Sequence, residues 1–595
     1  MRGRRRWSSR QRFGSFLLGA VAIGLALVIV QTDPGAHARA DESDGLPSAD
    51  LIIVGGKVWT GADRQWRGAK ATALAIVGDT IVAVGRDDDV RRRIGPKTKI
   101  IDAGGKRIIP GITDSHTHVV GGGLQLQRLY LRDVSSRSQF IRAVAEAAKT
   151  KKKGEWVLGG RWSVESWHEP QSPRATWMDP VTGDTPVFLS RMDGHSAVVN
   201  TVALRLAGID ALGPPDPEGG EIERDPATSE PTGILKESAQ GLVRRLIPVP
   251  SSAQRYAALL RAMKHANSFG VTSVHDMCGF DDLATFVRAR DAGTLTVRIT
   301  AYIQAEREST PSDYWSGRLR KAARTRFGLD GKMVRVAGFK GYVDGSLGSR
   351  TAYMREPFSD ATSEMRYPRG QLSAFAASHD SFVSQIVEAD ALGLQLALHA
   401  IGDEANHLAL NAYEEVRKRN GRRDALHRVE HAQHLHVSDI PRFATLGVVA
   451  SMQPFHKADD GRYAEVGIGK ARLEGSYAYR QLVDSGAPLI FGSDWPVVTL
   501  NPFAGMDAAV NARTLAGDVW LASHSLTVEE ALRAYTVLPP RAVHRGSQLG
   551  TLEVGKLADL VILSEDPLAI DKDRLGQIKV ATTIVAGRVV YEATR

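Results

Sequence analysis

The sequence predicts an α/β protein, a (β/α)8 TIM barrel with a small composite β-sandwich domain built from both chain ends. Two observations carry this. Through the middle of the chain, short apolar runs alternate with helix-patterned stretches, which implies a parallel sheet covered by helices. About eight such runs occur, which favours a closed barrel over an open sheet. At the two ends the texture changes to short strands broken by Gly-Gly and Gly-Asp turns, and each end alone has too few strands to bury a face.

Taken in order, residues 1–40 read as a signal peptide. Arg2, Arg4, Arg5 and Arg6 precede an uncharged apolar run of 15 residues, Phe16 to Val30, and small-residue cleavage sites follow at Ala36–Ala38 and Ala38–Ala40. The run is shorter than the roughly 20 residues that span a bilayer comfortably. Export to the periplasm or exterior is therefore expected, with anchoring by residues 16–30 as the alternative. Adjacent arginines leave twin-arginine export open, although their spacing from the apolar run is loose for it. The single cysteine, Cys278, excludes an intramolecular disulfide framework.

Residues 49–106 and 546–595 are the two parts of the sandwich, and 506–545 is a helical connection. The barrel is expected over 107–505, with candidate strands Ile108–Ile112, Val157–Leu158, Val271–Val274, Val334–Phe339, Leu394–Leu398, Leu426–Val429, Val448–Met452 and Leu489–Phe491. Residues 163–250 are rich in Pro, Gly and Glu and poorly periodic, so they read as an insertion over the barrel mouth. The chain has 595 residues, 43% of them hydrophobic and 24% charged, which suits a large buried core. Of the formal net charge of +9, the first 40 residues hold seven arginines against one aspartate, so the remainder is close to balanced. No dense basic stripe interleaved with aromatics occurs, which argues against nucleic acid as a partner.

Nearly every apolar run ends in a polar residue able to meet a metal. His116 and His118 follow the first run, Lys340 the run Val336–Phe339, His399 the run Leu396–Leu398, His431 follows Val429-Glu430, and Asp494 follows Leu489–Phe491. All strands of a parallel barrel end on one face, where barrel enzymes keep their chemistry. Histidines at i and i+2 on a strand point the same way. Neutral imidazoles and a carboxylate suit Zn²⁺, which activates water and polarises a carbonyl. Asp494, at the last strand, is the expected proton carrier. Singly, each residue has an ordinary explanation: a hydrogen-bonded core histidine, a salt-bridging lysine, a helix-capping aspartate. Their shared position at strand ends is what points to a metal centre.

Several segments resemble the amidohydrolase superfamily, and within it the amidohydrolase family 3 branch that includes formamide deformylases. They are Pro110–His118, Gly270–Met277, Phe339–Gly348, Leu398–Asp403, Val429–Gln433 and Phe491–Pro496, with Gly550–Val561 similar to the family's return into the β-domain. The resemblance spans roughly residues 49–595. It implies that His116 and His118 hold the more buried metal with Asp494, that His399 and His431 hold a second, and that Lys340 is a carboxylated lysine bridging the two. Cys278 is the competing bridging ligand. Cofactors are thus one or two divalent metal ions, zinc first. Asp193–Ala197 and Pro231–Glu237 also resemble branch motifs; His195 is expected to bind substrate or an oxyanion, and Asp344 to contact substrate or hold a neighbouring group. Trp156, Trp162, Trp167 and Trp177 read as lid packing ahead of a substrate wall.

The reaction expected is hydrolysis of a non-peptide C–N bond, of N-substituted amide or formamide type, in a small-molecule substrate. Ester, lactone or carbamate cleavage on the same centre is the alternative, and a secreted binding or regulatory protein on a degenerate barrel is the alternative of another class. No Gly-x-Ser-x-Gly occurs to support a serine hydrolase. A membrane is a partner only if the N-terminal segment stays uncleaved, and homo-oligomerisation stays open.

Overall fold

The computed structural model describes residues 47–62, 71–165, 167–304, 312–329 and 331–594; the expected signal peptide, residues 1–40, lies outside the described residues. At the centre is an eight-stranded sheet, parallel throughout, whose spatial order follows the chain order. Its strands are β1 (Ile112–Thr117), β2 (Val271–Cys278), β3 (Arg298–Gln304), β4 (Val334–Tyr342), β5 (Gln395–Ala400), β6 (Arg428–His431), β7 (Val449–Met452) and β8 (Leu489–Phe491). The barrel closes just past β8. Thr117 and Trp495 form a parallel bridge, the Asp494 N–H donates to the His116 carbonyl at 2.7 Å, and the His118 N–H donates to the Trp495 carbonyl at 2.9 Å. All residues of β2 and β5 are buried, as near-continuous apolar strands covered by helices on one side and packed core on the other should be.

Three strand assignments differ from the sequence expectation. The run Ile108–Ile112 belongs to two sheets: Arg107–Pro110 pairs with Lys57–Val58 and Leu560–Leu563, and β1 begins only at Ile112. Pro110 cannot donate to a ladder, and the chain changes sheets just after it. Val157–Leu158 lies outside the barrel, in a six-stranded sheet, because a short apolar run does not say which sheet it joins. The missing barrel strand is β3. Its Arg298, Thr300 and Gln304 make it look half-exposed, yet Arg298 is fully buried on Asp559, and Tyr302 turns inward to donate to Gln395 Oε1 at 2.5 Å.

The six-stranded sheet runs, in spatial order, Gly220–Arg224, Pro231–Glu237, Ser196–Val199, Val187–Arg191, Val157–Trp162 and Leu129–Tyr130. The inserted structure therefore starts near Leu129 and not at residue 163. Trp162, Trp167 and Trp177 pack with Phe140 in its core, and Trp156 packs with Phe188 and Leu235, so all four tryptophans hold the insertion together. Helix Ser252–Ser268 returns the chain to the barrel; it opens on a capping box in which the Ser251 hydroxyl accepts from the Gln254 N–H and the Gln254 side chain accepts from the Ser251 N–H.

Both chain ends build the sandwich. A four-stranded sheet (Leu51–Val54, Ala73–Val77, Thr80–Gly85, Lys99–Asp102) and a five-stranded sheet (Lys57–Val58, Arg107–Pro110, Leu560–Leu563, Val580–Val585, Arg588–Glu592) share a core of Ile53, Leu74 and Ile76 against Leu560, Ile562 and Ile584. One ion pair ties it to the barrel floor. Asp559 accepts from Arg298 Nε at 2.6 Å and Nη2 at 2.8 Å, and also from the Ala586 N–H at 2.8 Å. Among the described residues no helix is long and apolar enough to cross a membrane.

Removing one partner of a buried pair strands the other charge. Asp559→Ala is expected to lower the free energy of unfolding by ~3–5 kcal/mol in urea denaturation followed by circular dichroism, and a loss below ~1 kcal/mol would show that the pair does not anchor the sandwich.

Candidate metal centre

The strand ends bring the six predicted ligands together. His116 is near the end of β1 and His118 just beyond it, Lys340 lies in β4, His399 in β5, His431 closes β6, and Asp494 follows β8. All six, with His195, line one cavity of about 630 Å³ between the barrel mouth and the inserted sheet. Asp494 Oδ1 is 3.5 Å from His116 Nε2 and 3.2 Å from His118 Nε2, and Lys340 Nζ is 3.3 Å from His116 Nε2. The His431 ring centroid is 5.0 Å from that of His116 and 4.5 Å from that of His399. One ligand atom each from His116, His431 and Asp494 lie within 4.8 Å of one another.

Local backbone chemistry sets these directions. His431 and Asp494 have φ of 75° and 58°, left-handed values that non-glycine residues adopt at a cost of ~1–3 kcal/mol each. Such strain turns each side chain away from its strand and over the barrel mouth. Gly492 lets β8 close on β1, since a Cβ there would lie 2.5 Å from the His116 nitrogen. Asp114 locks the seam by accepting from the N–H groups of His116 at 3.1 Å and Ser493 at 2.9 Å.

The imidazoles are held from behind. His116 Nδ1 is 2.6 Å from Glu430 Oε2, and His118 Nδ1 is 3.0 Å from the Met277 carbonyl, so in each ring Nδ1 carries the proton and Nε2 faces Asp494 as a lone-pair donor. Burial and then the Lys340 ammonium lower His116 to about 4. Burial also takes His399 and His431 well below the ordinary histidine value. Burial opposes ionisation of Asp494, but His116 and then His118 hold it well below the usual carboxylate range. Burial thus favours the neutral form of His116, His399 and His431 beside the Asp494 carboxylate. His431 Nδ1 and Asp494 Oδ1 are buried yet make no well-formed hydrogen bond. Imidazole nitrogens clustered about a carboxylate, two of the buried donor atoms lacking a hydrogen bond, form a donor set that fits a divalent metal.

Beneath the site lies a polar network that the strand-end pattern does not reveal. Arg428 is fully buried; its Nε and Nη2 donate to the two oxygens of Glu430 at 2.7 and 2.9 Å. Burial opposes ionisation of Glu430, but Arg428 and then His116 keep it ionised far below the usual carboxylate range. The available signal is alternation: Arg428 and Glu430 share one face of β6. His456 is a further site residue that no motif flags; its ring stacks on His431 at 5.9 Å, and its buried Nε2 has no hydrogen-bond partner.

The remaining candidates separate. His195 lies over the site, its ring 5.0 Å from His399, with Nδ1 2.9 Å from Glu237 Oε1. Asp344 does not line the cavity. It sits behind His399, accepting from the N–H groups of Ile401 at 3.0 Å, Gly402 at 2.8 Å and Tyr353 at 2.9 Å, which corrects the substrate-contact expectation to a positioning one. Cys278 is buried among apolar side chains away from the cavity, and burial pushes its thiol well up, so it is not placed to bridge metals.

Residues 99–591 match the model of a family described as the amidohydrolase family. Protein LONG AFTER FAR-RED 3 of Arabidopsis thaliana is 35% identical over 561 residues, covering 91% of this chain and 92% of that protein. The N-substituted formamide deformylase of Arthrobacter pascens is 28% identical over 553 residues, covering 92% and 99%. Among solved structures, an uncharacterized metal-dependent hydrolase from Pyrococcus horikoshii matches with a TM-score of 0.69 at 26% identity, covering 88% of this chain and 99% of that one.

Glu430 fixes the tautomer of His116, so Glu430→Gln should weaken metal binding by ~10–100-fold in competition with a chromophoric chelator. An unchanged affinity would show that the carboxylate does not orient this ligand.

Proposed function

Because the chain belongs to the amidohydrolase family, hydrolases of carbon–nitrogen bonds other than peptide bonds, we propose that it cleaves an N-substituted amide or formamide of small-molecule size. The observation that carries this reading is the convergence of His116, His118, Lys340, His399, His431 and Asp494 on one cavity, with buried donor atoms of His431 and Asp494 left without hydrogen bonds. The resemblance in chain length and identity to a protein named N-substituted formamide deformylase supports the bond type.

His116 and His118 with Asp494 would hold one ion, and His399 with His431 a second, zinc being the metal that suits neutral imidazole and carboxylate. When bound, such a metal supplies a Lewis acid for the scissile carbonyl and lowers the pKa of water to ~7. Lys340 is nearly inaccessible, and its Nζ lies beside His116 Nε2. As an ammonium it would repel a metal. Addition of carbon dioxide to the neutral amine, with loss of one proton, would give a carbamate, and Lys340 would then offer carboxylate oxygens to a metal where the ammonium offers none. Asp494 takes the proton of the attacking water and passes it to the leaving nitrogen. His195 donates its Nδ1 hydrogen to Glu237, which leaves Nε2 to accept a hydrogen bond from the amide N–H of the substrate.

With metal-replete protein and a panel of N-formyl, N-acyl and N-carbamoyl compounds, turnover of at least one class is expected. The double variant His116→Ala/His118→Ala should lose at least ~1,000-fold in kcat/KM while keeping its circular dichroism spectrum; undiminished turnover would refute the site. Lys340→Ala should lose activity that a short-chain carboxylic acid added with zinc partly restores. Full activity of that variant without rescue would exclude a bridging carbamate.

A further inference from the structure

The strand Val157–Trp162 of the inserted sheet is irregular at one residue. It pairs with Val187–Arg191 through Gly159↔Leu189 and Gly160↔Ser190, then resumes at Trp162↔Arg191, so Arg161 is the extra residue of a β-bulge. Its φ is 66°, a left-handed value that an arginine adopts only when the surroundings impose it. Gly160, with φ of 112°, makes the bulge possible: a Cβ there would lie 2.2 Å from the Ser190 carbonyl oxygen. Beyond the bulge the Trp162 indole N–H donates to the Leu189 carbonyl at 2.9 Å and pins the strand. Bulges beside active sites re-aim side chains. This one sets Arg161 into the wall of the cavity that holds the metal ligands.

What Arg161 meets there is incomplete. Nη1 donates to the Met192 carbonyl at 3.0 Å, Nε is buried without a partner, and among the described residues no carboxylate lies within ion-pair distance. The lid's neighbouring arginine is treated differently: Arg191 is buried between the carboxylates of Glu165 and Asp193. Of the carboxylates facing the cavity, Asp494 lies among the histidines and beyond ion-pair distance of Arg161, and the other two are engaged elsewhere. Asp193 also accepts from Ser346 and Ser349 at 2.8 Å each, and Glu237 accepts from His195 and Thr351. Burial lowers Arg161 to about 10 even though Asp494 and Asp193 oppose the change, as expected of a cation whose counter-charge is incomplete. Arg128 lines the same cavity, and no described side chain pairs with its guanidinium. Leu158, Phe188 and Ile247 give the cavity an apolar wall beside these charges.

We propose that Arg161, backed by Arg128, binds a carboxylate carried by the substrate, so that the bond cleaved is the amide of an N-acylated amino acid with an apolar side chain. The planar guanidinium fork matches a carboxylate in geometry and charge, and a ligand carboxylate would satisfy the unpaired Nε. The proposal rests on the amide-hydrolase reading for the reaction, but the carboxylate site itself is a statement about binding and is separable from it.

The test uses the full-length, zinc-loaded protein and racemic N-formyl-, N-acetyl- and N-carbamoyl-phenylalanine, each against its neutral carboxamide isostere. Wild type is expected to favour the acid over the carboxamide by about 10- to 100-fold in kcat/KM, as a hydrogen-bonded charge contact should, and Arg161→Met should bring that ratio close to one through KM. Equal kcat/KM for acid and carboxamide in wild type would overturn the proposal whatever the variant does. If neither series is turned over, the N-acylamino-acid assignment fails while the amide-hydrolase reading still rests on the wider panel, and titration calorimetry decides the carboxylate site. N-acetylphenylalanine binding about 10-fold or more tighter than N-acetylphenylalaninamide, with the difference lost in Arg161→Met, would uphold it. Equal binding of the two, or binding of neither, would overturn it.

Discussion

A single buried guanidinium sits beneath the metal centre and directs its donors to five barrel strands. Arg428 of β6 reaches Glu430 on its own strand, the Ser115 carbonyl of β1, His275 Nδ1 of β2, the Tyr302 hydroxyl of β3 and the Ser451 hydroxyl of β7. In a medium of low dielectric such a cation is tolerable only when its partners are complete. Its completeness fixes the mutual positions of the strands whose ends carry the histidines. It also keeps Glu430 ionised, and Glu430 in turn decides which nitrogen of His116 bears the proton. One buried ion pair thus links barrel geometry to the chemistry of a ligand.

Above that floor, precision depends on backbone strain. His431 and Asp494 depart from strand geometry at the positions where their side chains must swing over the mouth, and Arg161 does so on the opposite wall. The strain is sustained because the surroundings over-determine it: the Asp494 N–H is held on the His116 carbonyl, and the strand after Arg161 is held by the Trp162 indole. The site is consequently divided in origin. The barrel contributes the proposed metal ligands, and the inserted sheet contributes His195, Glu237 and Arg161 to the wall of the same cavity. Barrel enzymes vary their chemistry through such loops while the strand ends persist.

Much of this is legible in the amino-acid sequence because the barrel imposes a rule on it. Parallel strands must be apolar and must end on one face, so the positions of His116, His399, His431 and Asp494 along the chain are enough to bring them together. Where the rule is blind, the cause is physical. β3 escapes it because Arg298 looks exposed until its partner Asp559, 261 positions away, is found. Val157–Leu158 reads as a barrel strand, and does not become one, because apolar character does not encode which neighbour a strand pairs with. Asp344 shares the parity of Lys340, but three backbone N–H groups claim its carboxylate. The Arg161 bulge has its glycines in plain view as Gly159-Gly160, but only the register with Leu189 and Ser190 shows where the extra residue falls.

We propose that the strand-end residues hold two metal ions. Anomalous diffraction from crystals of the zinc-loaded protein, recorded on both sides of the zinc absorption edge, tests it most directly. The account predicts one peak among His116, His118 and Asp494, a second beside His399 and His431, and carboxyl density on Lys340 between them. Fully loaded crystals with no anomalous peak at these residues would contradict it.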